Sequence, residues 1–205
     1  MQTEKISIYA AGDGRDKALE LTEKAGAFCG LDNKSTLRLR LLSEEIIELI
    51  RPFSSELKGD FWLETNDENV EIHLKTNIPM DLQTRNELLS VATSGKNSAA
   101  KGLIGKIREM IARVTLPDDP ETKAMTDQAF GLMALGSQMG SSYGSTYSWS
   151  MTAYAESINN STVFTDEAAE AMDALEKSIV ANIADEVKVN IVDSNVEVVI
   201  YKAIG

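Results

Sequence analysis

Apolar residues recur along this chain with two different periods, and the clearest stretch runs from Leu37 to Phe53. Leu39, Leu42, Ile46, Leu49, Ile50 and Phe53 fall at steps of three and four, which places them on one stripe of a helix. At about 100° per residue, Arg40, Glu44, Glu48 and Arg51 gather on the opposite side. The stripe has to bury against a sheet or another helix, and the charged side faces either water or a ligand. A preceding helix is predicted over Arg15–Phe28, with Ala18, Leu21, Ala25 and Phe28 inward and Gly30 as its stop. Asp32 or Asn33 can cap the long helix, and Pro52 lies near its end.

Elsewhere the period is two. Lys5–Ala10 reads as a first strand around Ile6, Ile8 and Tyr9, broken by Gly12-Asp13-Gly14. Asp60–Thr65 and Val70–Lys75 form a hairpin, with Phe61, Leu63, Val70, Ile72 and Leu74 on its apolar faces and turn residues between. His73 alternates with Glu71 and Lys75 on the polar face and reads as a solvent-facing strand histidine. With no second His or Cys nearby, a metal site there has no support. Near the carboxy terminus, Thr165 can cap a helix over Asp166–Ala184, with Ala168, Met172, Leu175, Ile179 and Ile183 as its inner stripe. A closing hairpin follows, with Val187, Val189 and Ile191 before Asp193-Ser194-Asn195 and Val196, Val198 and Ile200 after it.

Between Asn77 and Asn160 the strand pattern is lost. Helices are predicted over Leu82–Val91, Gly102–Val114 (Leu103, Ile107, Met110 and Ile111 inward) and Thr122–Met133. Residues 131–151 mix Gly, Ser and Tyr with Met133, Met139 and Met151. Such a segment is either a mobile lid or partner-binding surface, or a loosely packed helical insertion whose methionines are core. Gly95–Gly102 lacks the residue order and the preceding strand that a phosphate loop requires.

Composition narrows the function. At 205 residues, with 43% apolar and 25% charged, the chain suits a single domain with an ordinary core. A net charge of −12 repels phosphate backbones and anionic lipid, so neither nucleic acid nor a membrane is expected as a partner. The single Cys29 reads as a small buried thiol. With a polar amino terminus and no apolar run of spanning length, a cytoplasmic location is expected.

The element order, strand, helix, charged-face helix, hairpin, helical stretch, helix, closing hairpin, resembles the histidine-kinase-like ATPase fold of sensor kinases, gyrase-type ATPases and anti-sigma serine kinases. Leu41-Leu-Ser-Glu-Glu-Ile-Ile-Glu48 is similar to the family's N box. Val70–Met80 is similar to the strand leading into its Asp-x-Gly-x-Gly box, and Leu175–Val187 to the last glycine box with the closing hairpin. The resemblance implies an α+β, two-layer sandwich with a mixed or antiparallel sheet and helices on one face. The frame would be residues 4–80 and 165–202 of one domain, and residues 81–160 a helical insertion enlarging the ATP lid.

The resemblance also assigns a site. Glu44 would be the catalytic residue that orients the attacking water or hydroxyl, and Glu48 would stand in for the family's asparagine as ligand to Mg²⁺. Thr76, Asn77 and Ser178 would fall at nucleotide-binding positions, Thr76 replacing the aspartate that reads adenine. Ile78, Met80, Ala174 and Glu176 stand where the family has glycines. Side chains there obstruct close approach of phosphate to the backbone, and Glu176 adds negative charge. On residue spacing alone, Arg40–Glu44 and Glu48–Arg51 equally well form a solvated ion-pair stripe.

The expectation is therefore a signal-transduction protein that works through protein contacts, with a sigma-type factor as one class of partner and with weakened or lost ATP binding. The alternative is an active ATP- and Mg²⁺-dependent serine/threonine kinase of the anti-sigma type. An unrelated α+β interaction domain is the third reading.

Overall fold

The computed structural model describes residues 1–53, 56–78, 103–114, 137–141, 145–160 and 166–204. Within them runs a seven-stranded sheet of order β1-β2-β3-β7-β6-β5-β4, antiparallel at every described pairing. The strands are β1 (Ile6–Tyr9), β2 (Lys58–Thr65), β3 (Asn69–Asn77), β4 (Ser137–Ser141), β5 (Ser145–Ser150), β6 (Glu186–Val192) and β7 (Asn195–Ala203). The helices are α1 (Arg15–Phe28), α2 (Asn33–Glu48), α3 (Leu103–Val114), α4 (Met151–Asn159), α5 (Asp166–Glu176) and the short α6 (Ile179–Ile183). The architecture is α+β.

Alternation along the strands decides which face is covered. Phe61, Leu63, Ile72, Leu74, Val189 and Val198 are fully buried and share one core with Leu39, Leu42 and Ile46 of α2 and Ile107 and Ile111 of α3. The intervening residues, among them Asp60, Glu64, Glu71, Lys75, Lys188 and Glu197, lie on the other face, which no described helix covers. Trp62 and Val199 on that face are buried but stand outside the core cluster.

The apolar stripe Leu39, Leu42, Ile46, Leu49, Ile50 and Phe53 is buried throughout, as its spacing predicts. Asp32 caps α2 by accepting from the Ser35 backbone N–H at 2.7 Å. Regular helix stops at Glu48, and tight turns carry Leu49, Ile50 and Phe53 into the core. At the start of α1, Gly14 has φ of 84°, and a Cβ there would sit 2.1 Å from the Ser7 carbonyl. The loop after β1 can therefore close only on a glycine.

Four expectations need correction. The insertion is not purely helical: β4 and β5 lie inside residues 81–160 and extend the sheet beyond β6. Tyr147 and Trp149 supply the inward face of β5, and the predicted helix Gly102–Val114 is present as α3. The Asp166–Ala184 helix is two helices, because Ser178 turns into an N-cap and accepts from the Ala181 N–H at 3.3 Å. That break puts Val180 in the core and leaves Ile179 exposed. Phe28 is 68% exposed at the end of α1, where Leu19 takes the inward place instead. His73 lies on the polar face but is only 8% exposed, stacked on Trp62 at 4.6 Å. Cys29 is half-buried against the core. The predicted helices over Leu82–Val91 and Thr122–Met133, and the Thr165 cap, lie outside the described residues.

Two core groups are unpaired. Trp149 Nε1 and the Tyr154 hydroxyl have no hydrogen-bond partner, and burial pushes the Tyr154 hydroxyl up to about 12. A group of this kind costs about 1–3 kcal/mol. Ile46→Ala is expected to lower unfolding free energy by about 2–5 kcal/mol, and Phe28→Ala to change it by no more than about 0.5 kcal/mol. Urea denaturation of the two variants checks this, and equal costs would contradict the assigned faces.

Candidate functional site

The charged side of α2 faces α1 and, at Glu48, borders a cleft. Ser43 is fully buried between the two helices, and its hydroxyl hydrogen-bonds that of Thr22 at 2.9 Å. This fixes the rotation of α2, so the next residue, Glu44, emerges at the edge of the α1–α2 interface. There its carboxylate meets Arg40 at 3.4 Å and Arg15 at 3.7 Å. Glu48, one turn on, meets Arg51 at 3.0 Å and Arg15 at 4.0 Å. Arg40 also bonds Glu23 of α1. Helical spacing identifies Arg40 and Arg51 as counterions, whereas Arg15 arrives from another helix and bridges both glutamates. Exposed pairs of this kind contribute about 0–1 kcal/mol each.

The opposite flank of α2 meets α3. Arg108 donates to the backbone carbonyls of Leu49, at 3.1 Å, and of Glu48, and so satisfies the free carbonyl end of α2. Burial pushes the Arg108 guanidinium down from its ordinary value, and Glu48 and Glu45 oppose that shift. Burial likewise pushes the half-buried Glu45 carboxyl up; Arg108 opposes this, and Glu48 and Glu44 reinforce it. Sequence reasoning gave no role to Glu45 or Arg108. The only signal for Arg108 is a charged position between the inward Ile107 and Met110.

The remaining candidates are separate. Thr76 is buried and its hydroxyl donates to the Lys58 carbonyl at 2.8 Å. Asn77 donates from its side-chain amide to the Asn195 side-chain oxygen at 3.1 Å. Ser178 is committed to capping α6. Glu48 lines a cleft of about 360 Å³ with Gly12, Arg15, Ile47 and Arg51. Thr76 and Asn77 line a different cleft of about 640 Å³ with Phe53, Lys58, Asp60, Ile78 and Asn195. Neither cleft brings the five residues together.

The five residues are not assembled into one Mg·ATP site. The glutamates that would hold metal and orient a nucleophile are paired with arginines, and the Thr76 hydroxyl, donating to the Lys58 carbonyl, offers a neutral acceptor where the family has a carboxylate. Among the described residues no group of three or more His, Cys, Asp or Glu is placed to hold a metal ion. No described helix is long and apolar enough to cross a membrane.

Comparison with protein-family models, with curated proteins and with solved structures returned no match.

Glu45 supplies a pH test. A free glutamate titrates near 4.5, and in the fold Glu45 titrates above that. Its contribution to stability is full below about pH 4.5 and is lost as pH rises through the folded value. Glu45→Gln is accordingly expected to gain in Tm relative to the parent between pH 4.5 and neutrality. Thermal unfolding at both ends of that range measures it. A difference that does not change with pH would refute the assignment.

Proposed function

We propose that this chain is a regulatory protein on a histidine-kinase-like ATPase frame that works through protein contacts and has weakened or lost Mg·ATP binding. The order β1-β2-β3-β7-β6 with α1 and α2 on one face supports the frame. The two ends of the chain, which carry the resemblance, meet in that sheet, and the β4–β5 hairpin is then an addition at the edge. One observation carries the loss of nucleotide chemistry: Glu44 and Glu48 are occupied by Arg15, Arg40 and Arg51. A carboxylate held this way is a poor base and a poor magnesium ligand, since the metal has to displace a guanidinium. On this reading the partner is a protein, with sigma-type factors the class the resemblance implies, and the setting is the cytoplasm.

The competing reading, an ATP-dependent serine/threonine kinase with Glu44 as base and Glu48 on the metal, draws on one feature. The cleft beside Glu48 presents Arg15 and Arg51, both able to meet phosphate oxygens.

Calorimetric titration with Mg·ATP separates the two. The expected dissociation constant is weaker than about 1 mM, about −4 kcal/mol, and insensitive to Glu44→Ala and Glu48→Ala. Micromolar binding that either substitution abolishes would establish the kinase reading instead.

A further inference from the structure

Four side chains stand in register across the face of the sheet that no described helix covers: Glu64, Glu71, Tyr201 and Glu186, from β2, β3, β7 and β6. Glu64 and Glu71 are direct cross-strand partners, an arrangement of like charges that destabilises a sheet. The adjacent row is Trp62, His73, Val199 and Lys188, and Glu197 flanks it from β7. Burial first, and then Glu71, Glu186, Glu197 and Glu64, push the Tyr201 hydroxyl upward, so one ring sits in the field of four carboxylates.

Of the lysines on this face, Lys75 stands opposite Glu197 in register, and Lys5 and Lys188 turn to aromatic rings. Lys5 lies over the Trp62 ring at 4.3 Å and Lys188 over the Tyr201 ring at 4.9 Å. Among the described residues, Glu64, Glu71 and Glu197 have no lysine or arginine in ion-pair range. All three instead surround His73. Its Nε2 is 3.4 Å from Glu71 and 3.9 Å from Glu64, and its Nδ1 is 3.8 Å from Glu197. Although His73 is only 8% exposed, neither ring nitrogen has a hydrogen-bond partner. Glu64 accepts from the Trp62 indole N–H at 2.9 Å and from Gln2 at 3.2 Å, but the buried His73 ring beside Glu71 and Glu197 stays without a hydrogen bond, which is costly to the fold.

We propose that this face, centred on His73, Glu71, Glu197 and Tyr201, docks a basic segment of a partner protein and reads an arginine side chain. The inference rests on the reading that the chain works through protein contacts, and it names the surface and the chemistry of the partner. A guanidinium supplies the donors that two separated carboxylates and an unpaired imidazole nitrogen lack, and its flat face stacks on aromatic rings. A metal ion suits the site less well, for no described group of acids and histidine is placed to ligate one. A second copy of the chain suits it least, since each carries a net charge of −12 and self-pairing would oppose carboxylates to carboxylates.

The test uses the full chain, a hexa-arginine peptide and a hexa-citrulline control that keeps the shape without the charge. The indole N–H resonance of Trp62 is followed by NMR and identified through Trp62→Phe. Hexa-arginine is expected to shift it and hexa-citrulline to leave it in place. Glu71→Gln/Glu197→Gln is expected to weaken binding about tenfold. Glu20→Gln/Asp173→Asn, which removes the same charge from α1 and α5, should have little effect. A silent Trp62, or equal weakening by both double variants, would overturn the proposal, the latter by exposing mere attraction to an acidic protein. An unchanged Trp149 resonance confirms an intact core, and Glu197→Gln alone replaces the double variant should that resonance move. Micromolar nucleotide binding alongside a Trp62 shift would remove the earlier reading and leave this face standing. A silent Trp62 without nucleotide binding would do the reverse.

Discussion

The ladder between β3 and β7 holds the two ends of the chain together. It runs without interruption from Asn69 opposite Ala203 to Asn77 opposite Asn195, and its inward pairs, Ile72 with Ile200 and Leu74 with Val198, are fully buried. Within the sheet, β1 and β2 reach the carboxy-terminal strands through this seam, and α2 also packs on β7 and α6 directly. The apolar stripe of α2 packs across both strands. Each side needs the other: the ladder gives α2 a flat apolar floor, and α2 keeps water off one face of the ladder. Rotation of α2 is then set by Ser43 against Thr22, and the positions of Glu44, Glu45 and Glu48 follow from that rotation.

The parts that were legible in the sequence are those whose pattern is carried by several large apolar residues. The α2 stripe and both hairpins belong to this class. The β4–β5 hairpin does not, because serine and glycine occupy most of it and only Tyr147 and Trp149 mark an inward face in β5. Small polar residues lower strand propensity, and an edge position asks for little burial, so the segment resembles a linker. The break between α5 and α6 was hidden for a different reason. Helical spacing runs on through Ile179 and Ile183, while the capping serine that resets the phase is one residue. The burial of His73 depends on a cross-strand stack with Trp62, which strand alternation alone does not reveal.

The candidate site shows the same division. Spacing along one helix was enough to pair Glu44 with Arg40 and Glu48 with Arg51. It could not reveal Arg15 or Arg108, which arrive from other helices and determine what the two flanks of α2 can do. A motif fixes the position of a carboxylate on a helix. Its chemistry is decided by the cation that tertiary packing brings against it, and here that cation is already supplied.

The unpaired Trp149 indole and Tyr154 hydroxyl have a consequence for motion. Both belong to the outlying part of the sheet, where β5 adds to β6 and the chain enters α4, and their rings lie 5.6 Å apart. Opening that corner would release two polar groups to water and recover part of what their burial costs, without breaking the β3–β7 seam. Amide hydrogens of β4 and β5 therefore have a cheaper route to solvent exchange than those of the central strands. The β4–β5 hairpin joins the described sheet through the β5–β6 pairing, which makes it the edge expected to open first.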